Sequence, residues 1–411
     1  MLHIDNGNGK LYKLVLIRKG KITAIKAEPA PVLNVAVIGA GTSGLVSAKY
    51  ALAQGYNVTV YEQAEQFGGI WWYTDKTGKD QYGQNVHSAM YQGLRTNLPH
   101  QVMEFNDHPY PNGTKSYPSQ ADVLKYLHSY ADRFEIKKHI KLSHLVIRVL
   151  PIENDKWEVI VKDLPNDKFQ TLIYDVVFVA NGHFASPRYP SIPGLDEFKG
   201  QTLHSHDYRS RQSLMPPKTT LQDNVKRFTP TGAEFIDGTH ETFSLVIFAT
   251  GYNFTYPFLS VDTGITVEEN TVLPLYKQVF NIEHPTMIFI GIPFTACTTQ
   301  IYDLQVRFAM KFLTGEKQLP SKSDMLTDMQ TQMQKHWAKG YGKRYTHCLG
   351  VEQNEYIKQL AETANVEPIP KVMPDMHFDS RESMKKGPSQ FRKFKYIIID
   401  DKTFIKEREE E

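Results

Sequence analysis

Asn34-Val35-Ala36-Val37-Ile38-Gly39-Ala40-Gly41-Thr42-Ser43-Gly44 decides the fold: an apolar strand-like run passes directly into G-x-G-x-x-G. The helical spacing of Leu45, Ala48 and Leu52 follows over Ser43 to Gln54, and Gly55 closes it. A second strand, Asn57-Val58-Thr59-Val60-Tyr61, ends at Glu62, 18 residues beyond Gly44. Strand, glycine turn, helix, strand and acidic residue in this order form the dinucleotide-binding unit. Gly39 serves the tight turn, Gly41 the approach of a pyrophosphate, and Gly44 the packing of helix on strand. The helix N-terminus then faces phosphate charge, with Ser43 in its first turn. Glu62, followed by Gln63, is placed to hold a ribose hydroxyl. A carboxylate there repels a 2′-phosphate, so this first site suits FAD or NAD over NADP.

The composition narrows the class. A chain of 411 residues is too long for one compact core and implies two or three domains. Hydrophobic content is 41% and net charge +2, which gives no reason to expect a nucleic-acid partner. Two cysteines, Cys297 and Cys348, exclude a disulfide framework, a CxxC redox pair or a zinc finger. His204 and His206 lack a third ligand nearby, so no metal site is expected. No apolar run has spanning length, and no secretory signal precedes the first strand; a cytoplasmic location is the expectation. Residues 1–31 read as an undetermined extension ending at Pro29 and Pro31. The basic stretch Arg381 to Lys395 and the acidic Glu407 to Glu411 read as solvated surface.

Further along, Ala121 to Phe134 reads as a helix with Ser119 as its cap. Leu145–Leu150, Trp157–Val161 and Phe169–Tyr174 read as an antiparallel meander. Val176-Val177-Phe178-Val179-Ala180 is apolar throughout, as a central parallel strand is, and Leu245 to Tyr252 reads as its partner. After Met287 to Ile290 helical periodicity dominates. The fold class is therefore α/β: a doubly wound, Rossmann-like domain with an inserted meander and a helical C-terminal part.

At this point the chain resembles the flavin-containing monooxygenases, and most nearly their insect, dimethylaniline monooxygenase-like branch. Phe198-x-Gly200-x-x-x-His204-x-x-x-Tyr208 is similar to that family's identifying sequence. Gly68-Gly69-Ile70-Trp71 resembles its G-G-x-W segment, Leu94-Arg95-Thr96-Asn97-Leu98-Pro99 the segment with its active-site asparagine, and Ala249-Thr250-Gly251-Tyr252 its A-T-G-Y segment. The resemblance implies an FAD enzyme that uses NADPH and O₂ for N- or S-oxygenation of small amines or sulfides through a flavin C4a-hydroperoxide. It implies that Asn97, flanked by Arg95 and Thr96, donates hydrogen bonds near the reacting flavin edge; a turn-forming Asn before Leu98-Pro99 is the alternative. Gly69 would admit close backbone approach, and Trp71 would be either a wall against the cofactor or ordinary core. Arg95 would touch FAD or be a surface charge. Gln305, in a segment similar to a helix covering the flavin, would face the cofactor or solvent. His204 reads as structural packing. A homodimer is compatible with the resemblance.

One departure limits what carries over. The family has a second G-x-G-x-x-G, in an NADPH domain that begins shortly after the Phe198–Tyr208 motif. None of the later glycines of this chain falls in that pattern. The stretch 209–242 carries Pro216, Pro217 and Pro230 and has little room for the roughly 30 residues of a βαβ unit. The expected organisation is an extension (1–31), a first part of the FAD domain (32–208), a remnant of an NADPH domain (209–242), a second FAD part (243–313) and a helical cap and tail (314–411). An FAD-binding protein with impaired oxygenation, a non-catalytic binding subunit and an NAD dehydrogenase are the alternatives.

Overall fold

The computed structural model describes residues 4–5, 11–18, 21–26, 31–210 and 222–408. The chain divides into two compact units, Met1–Leu33 and Asn34–Glu411. The first is an antiparallel sheet of β1 (Ile4–Asp5), β2 (Leu11–Arg18) and β3 (Lys21–Lys26). The segment read as an undetermined extension, residues 1–31, thus contains strands. Leu-, Ile- and Val-rich runs on either side of Lys19-Gly20 are strand formers separated by a hairpin-length gap.

The second unit begins with β4 (Asn34–Ile38), α1 (Thr42–Ala53) and β5 (Asn57–Tyr61). β4 and β5 run parallel, with Asn34 opposite Asn57 and Ile38 opposite Tyr61. α2 (Gln120–Arg133) is closed at its start by a capping box, in which Ser119 accepts from Asp122 N and Asp122 accepts from Ser119 N. β6 (Ile140–Lys141) adds to β5, and β7 (His144–Ile152), β8 (Lys156–Asp163) and β9 (Lys168–Tyr174) form the expected meander. β10 (Val176–Val179) is buried at every residue and lies parallel to β4.

The chain then leaves the main sheet. β11 (Gln201–His204) precedes the antiparallel strands β12 (Val225–Thr229), β13 (Gly232–Phe235) and β14 (His240–Thr242), and β15 (Leu245–Phe248) pairs in parallel with β11. Phe198, Phe228, Ala233, Phe235 and Phe248 form a small core of their own. The expectation that Leu245–Tyr252 pairs with Val176–Ala180 is thereby corrected. Ile247 is 41% exposed, so this apolar run forms a thinly covered two-stranded sheet and not the middle of a large one. The part of 209–242 that falls on 211–221 lies outside the described residues; over 222–242 the described residues form strands and turns and no helix.

The return is made by β16 (Thr266–Glu268), β17 (Thr271–Leu273), β18 (Leu275–Tyr276), β19 (Phe280–Asn281) and β20 (Met287–Phe289). β20, not β15, is the second parallel neighbour of β10, and the seven-stranded sheet has the order β18-β19-β20-β10-β4-β5-β6. Trp157, Val159 and Val161 of the meander pack into one core with Ala36, Val177 and Phe289 of the sheet. α3 (Thr298–Leu313) packs on α1, and α4 (Lys322–Ala338), α5 (Gln353–Ala364) and α6 (Val372–Lys386) follow. A hairpin of β21 (Phe394–Ile398) and β22 (Phe404–Arg408) ends the described chain; the helical reading of this part did not foresee it.

One buried contact behind the sheet gives the fold a pH dependence. His347 Nε2 accepts a hydrogen bond from Val272 N at 2.9 Å, and Nδ1 donates to Gln278 Oε1 at 2.8 Å. The ring is neutral in this arrangement, and burial pushes its pKa down to about 3. The unfolded chain takes up a proton below the ordinary histidine value of about 6.5 while the folded one does not. The stabilisation is therefore complete above that value and fades as pH falls towards 3. At pH 5 the expected loss is about 2 kcal/mol. His347→Gln should flatten the fall in melting temperature between pH 7 and pH 5; an unchanged slope would refute this role.

Candidate dinucleotide site

The parallel strands β20, β10 and β4 end on one edge of the sheet, where ligands of doubly wound folds sit. Gly39 follows β4, Asn181-Gly182 follows β10 and Gly291 follows β20. Gly39 has φ +100°, and a Cβ there would lie 2.5 Å from Ala180 O; Gly44 would place a Cβ 1.9 Å from Gly39 O. The sequence therefore uses glycine where turn, helix and neighbouring strand interlock. Gly41 has no such clash. Its nearest neighbour is the Cα of Gly69, 3.4 Å from a built Cβ, and a Cβ on Gly69 would meet Gly41 Cα at 3.0 Å. Two bare backbones thus face each other across the turn, and Gly68 N donates to Ala40 O at 3.0 Å to fix that approach.

α1 starts at Gly41 without a side-chain cap and without an acidic residue in its first turn. The positive end of the helix is left to whatever occupies the turn, which favours an anion. Ser43 is buried, and its Oγ donates to Ala180 O at 3.3 Å, tying α1 to β10. Glu62, also buried, spends its carboxylate on the loop itself: Oε2 accepts from Ala40 N at 3.0 Å and Oε1 from Ala64 N at 2.9 Å. An ionised carboxylate has about four acceptor positions, so room remains for a hydroxyl donor. Gln63 beside it is half-buried.

Trp71 ends a short 3₁₀ turn, Gly69–Trp71, and its carbonyl accepts from Gln120 Nε2 at 2.5 Å. The ring is half-buried. Arg95 is neither a free surface charge nor an open cation: Nε and Nη2 both donate to Tyr117 O, at 3.0 and 2.8 Å. Thr96 is buried, donating from Oγ1 to Leu98 O at 2.8 Å. Between these anchored residues and Leu98, the Asn97 side chain is exposed and makes no hydrogen bond to the described residues.

Gln305 does not face solvent, one of its two sequence readings. It is fully buried, and both ends of its amide are used within the chain. Oε1 accepts from Gly291 N at 3.0 Å, and Nε2 donates to Tyr356 Oη at 2.7 Å, which in turn donates to Lys277 O at 2.9 Å. The reason is register: α3 turns this face inward, between the sheet edge and α5. Burial also pushes the His183 imidazole, next to this edge, down to about 4, and its Nε2 has no partner.

In the Phe198–Tyr208 motif the histidine is packed inside the fold. His204 is fully buried between Tyr189 and Tyr252, with Nδ1 accepting from His206 N at 3.1 Å. Just beyond it, Arg209 donates to the carbonyls of Lys76, Ser88, His206 and Tyr208.

One contributor escaped sequence reading. Arg392 donates from Nε to Thr96 O at 2.9 Å and from Nη2 to Arg95 O at 3.2 Å, pinning the Asn97 loop from the C-terminal end. Phe391 beside it is buried against Tyr117. The reading of residues 381–395 as solvated surface is corrected at these two positions; an aromatic interrupting a basic run was the available signal. Arg392→Ala removes two charge-assisted bonds and should loosen residues 95–98 by about 2 kcal/mol. Amide exchange there should rise about thirtyfold. Unchanged exchange would show that the loop holds without the clamp.

The family model "FMO-like: Flavin-binding monooxygenase-like" matches residues 33–219 and again 211–385. The senecionine N-oxygenase of Tyria jacobaeae is 31% identical, covering 96% of each chain, over 443 aligned positions. Flavin-containing monooxygenase FMO GS-OX4 of Arabidopsis thaliana is 32% identical over 81% of this chain and 85% of its own. Among solved structures, S-allyl-L-cysteine S-oxygenase from Allium sativum superposes with a TM-score of 0.81 at 29% identity, over 88% of this chain and 95% of that one. Tmm from Pelagibacter sp. shares the fold, with a TM-score of 0.75 at 23% identity over 89% of this chain and 93% of that one.

Proposed function

Because this chain belongs to the flavin-containing monooxygenase family, we propose that it holds FAD on the Gly39–Gly44 turn and oxygenates nitrogen or sulfur in small soft nucleophiles with NADPH and O₂. The observation that carries the FAD assignment is the uncapped start of α1 opposite the bare backbones of Gly41 and Gly69. A pyrophosphate fits this cradle by charge and by clearance. FAD supplies the hydride-accepting and oxygen-activating chemistry that side chains lack.

The protein's part is to bind, orient and exclude water. Backbone N–H groups of the turn hold phosphate, Glu62 with Gln63 accepts from the ribose, and Trp71 offers a flat apolar wall. Arg95 and Thr96 work indirectly, since their polar atoms are spent on holding the loop. Asn97 is the one member of that loop whose amide is left for a ligand, and its role is to donate hydrogen bonds at the reacting edge. The relatives named as N- and S-oxygenases support a substrate with an amine or sulfide centre.

A second reading has its own observation. The described residues of 222–242 form three antiparallel strands and no helix, and no second G-x-G-x-x-G occurs in the chain. The family model matches in two overlapping pieces, and the alignment with the Tyria protein is longer than the 411 residues of this chain. All four support a shortened NADPH domain. The chain would then bind FAD yet oxygenate poorly, releasing peroxide or serving as a non-catalytic flavoprotein. The deciding experiment records the visible spectrum of the purified protein and then the N-oxide formed from a tertiary amine. A folded preparation that stays colourless with added FAD overturns both readings; a flavoprotein that forms no N-oxide favours the second.

A further inference from the structure

A cavity of about 370 Å³ lies outside the dinucleotide turn, between α4, α5 and the β17–β18 segment. None of its lining residues belongs to the turn or to the Asn97 loop. Its walls include Leu273, Leu275, Met329, Met333, Leu349 and Val351, an apolar surface made adaptable by two thioethers.

At one end sits a partly buried ion pair. Lys277 Nζ is 2.7 Å from Asp328 Oδ1 and 3.4 Å from Gln359 Oε1. An ammonium has three donors, so one remains. Asp328 Oδ2 is buried and has no hydrogen-bond partner. The pair therefore presents one spare donor next to one spare acceptor. Lys277 and Gln278 both adopt positive φ, +52° and +56°, in the turn between β18 and β19, and both line the cavity. Non-glycine residues in that region are uncommon, and this turn brings both side chains to the cavity wall.

Charge decides what fits. Among its lysines and carboxylates, Lys277, Lys335 and Lys339 are matched in number by Asp328, Glu352 and Glu355, and His336, which also lines the cavity, has its Nδ1 on Glu352. A charged ligand would leave one charge unmatched in a partly desolvated space. A neutral head that both donates and accepts would complete Lys277 and Asp328 together.

We propose that this cavity is a binding site for a small neutral amphiphile, with an amide-like head on the Lys277–Asp328 pair and an apolar body against Met329 and Met333. The site is independent of the FAD assignment.

Isothermal titration of the full chain with phenylacetamide, phenylacetate and phenethylamine tests it. The amide should bind, and both charged analogues should bind about tenfold or more weakly. Met333→Trp, which fills the cavity, should remove amide binding with the circular dichroism spectrum unchanged. Should that variant misfold, Asp328→Asn serves instead and should weaken the amide about fivefold or more by losing the free acceptor. Equal binding of all three probes, undiminished binding in a folded variant, or no binding of the amide at its solubility limit would overturn the proposal.

Discussion

Gly44→Ala yields a protein that is purified colourless and stays colourless when FAD is added. The added methyl carbon would lie 1.9 Å from Gly39 O, a backbone atom that is itself fixed because Gly39 N donates to Tyr61 O at 2.8 Å. Neither side can yield by moving a flexible side chain, so helix and turn must separate. Overpacking in cores costs about 1–3 kcal/mol where neighbours can adjust, and here only main chain can adjust. A loss of about 3 kcal/mol already weakens a ligand more than a hundredfold. Gly41→Val should lose FAD by a different route: its branched carbons would enter the gap to Gly69. Gly342→Ala is the control, since Gly342 has φ −68° and a Cβ there meets nothing within 4 Å. A yellow Gly44→Ala protein with stoichiometric FAD would disprove the assignment of this turn.

The second large effect concerns the electron donor. A dinucleotide needs the backbone N–H groups of a glycine turn and the start of a helix to hold its pyrophosphate. Neither is found in the described residues of 222–242. Loss of about 4 kcal/mol of binding weakens NADPH roughly a thousandfold, and a donor seldom in place transfers hydride seldom. On the second reading, a shortened NADPH domain, the expected result is FAD-loaded protein that consumes NADPH very slowly and returns the electrons as hydrogen peroxide, with little N-oxide from a tertiary amine. Fast NADPH consumption with one N-oxide per NADPH would sink the prediction and point to a different surface for the nicotinamide cofactor.

The parts legible in the sequence were those where local pattern and burial agree. The Val35–Ile38 run, the glycine turn, α1 with Gly55 behind it, and the meander all appear within a few residues of their expected ends. Pairing was less legible. Leu245–Phe248 and Met287–Phe289 are both short apolar runs, and periodicity holds nothing that says which one lies beside β10. Partners brought from far along the chain were not legible at all. Gln305 reaching Gly291 and Tyr356, and Arg392 reaching Thr96, are tertiary hydrogen bonds that leave no mark on local spacing. The fork of Arg95 on Tyr117 O could be seen only in three dimensions.

The Arg392 clamp also sets an order of events during synthesis. The glycine turn emerges among the first segments of the chain, while β20 follows some 250 positions later and Arg392 another hundred. Until that arginine leaves the ribosome, the carbonyls of Arg95 and Thr96 have no guanidinium to hold them. Any fold reached before Arg392 emerges therefore holds the Asn97 loop without its guanidinium clamp. Cofactor that docks before that point meets a loop still lacking its clamp, and Arg392 closes the loop from behind.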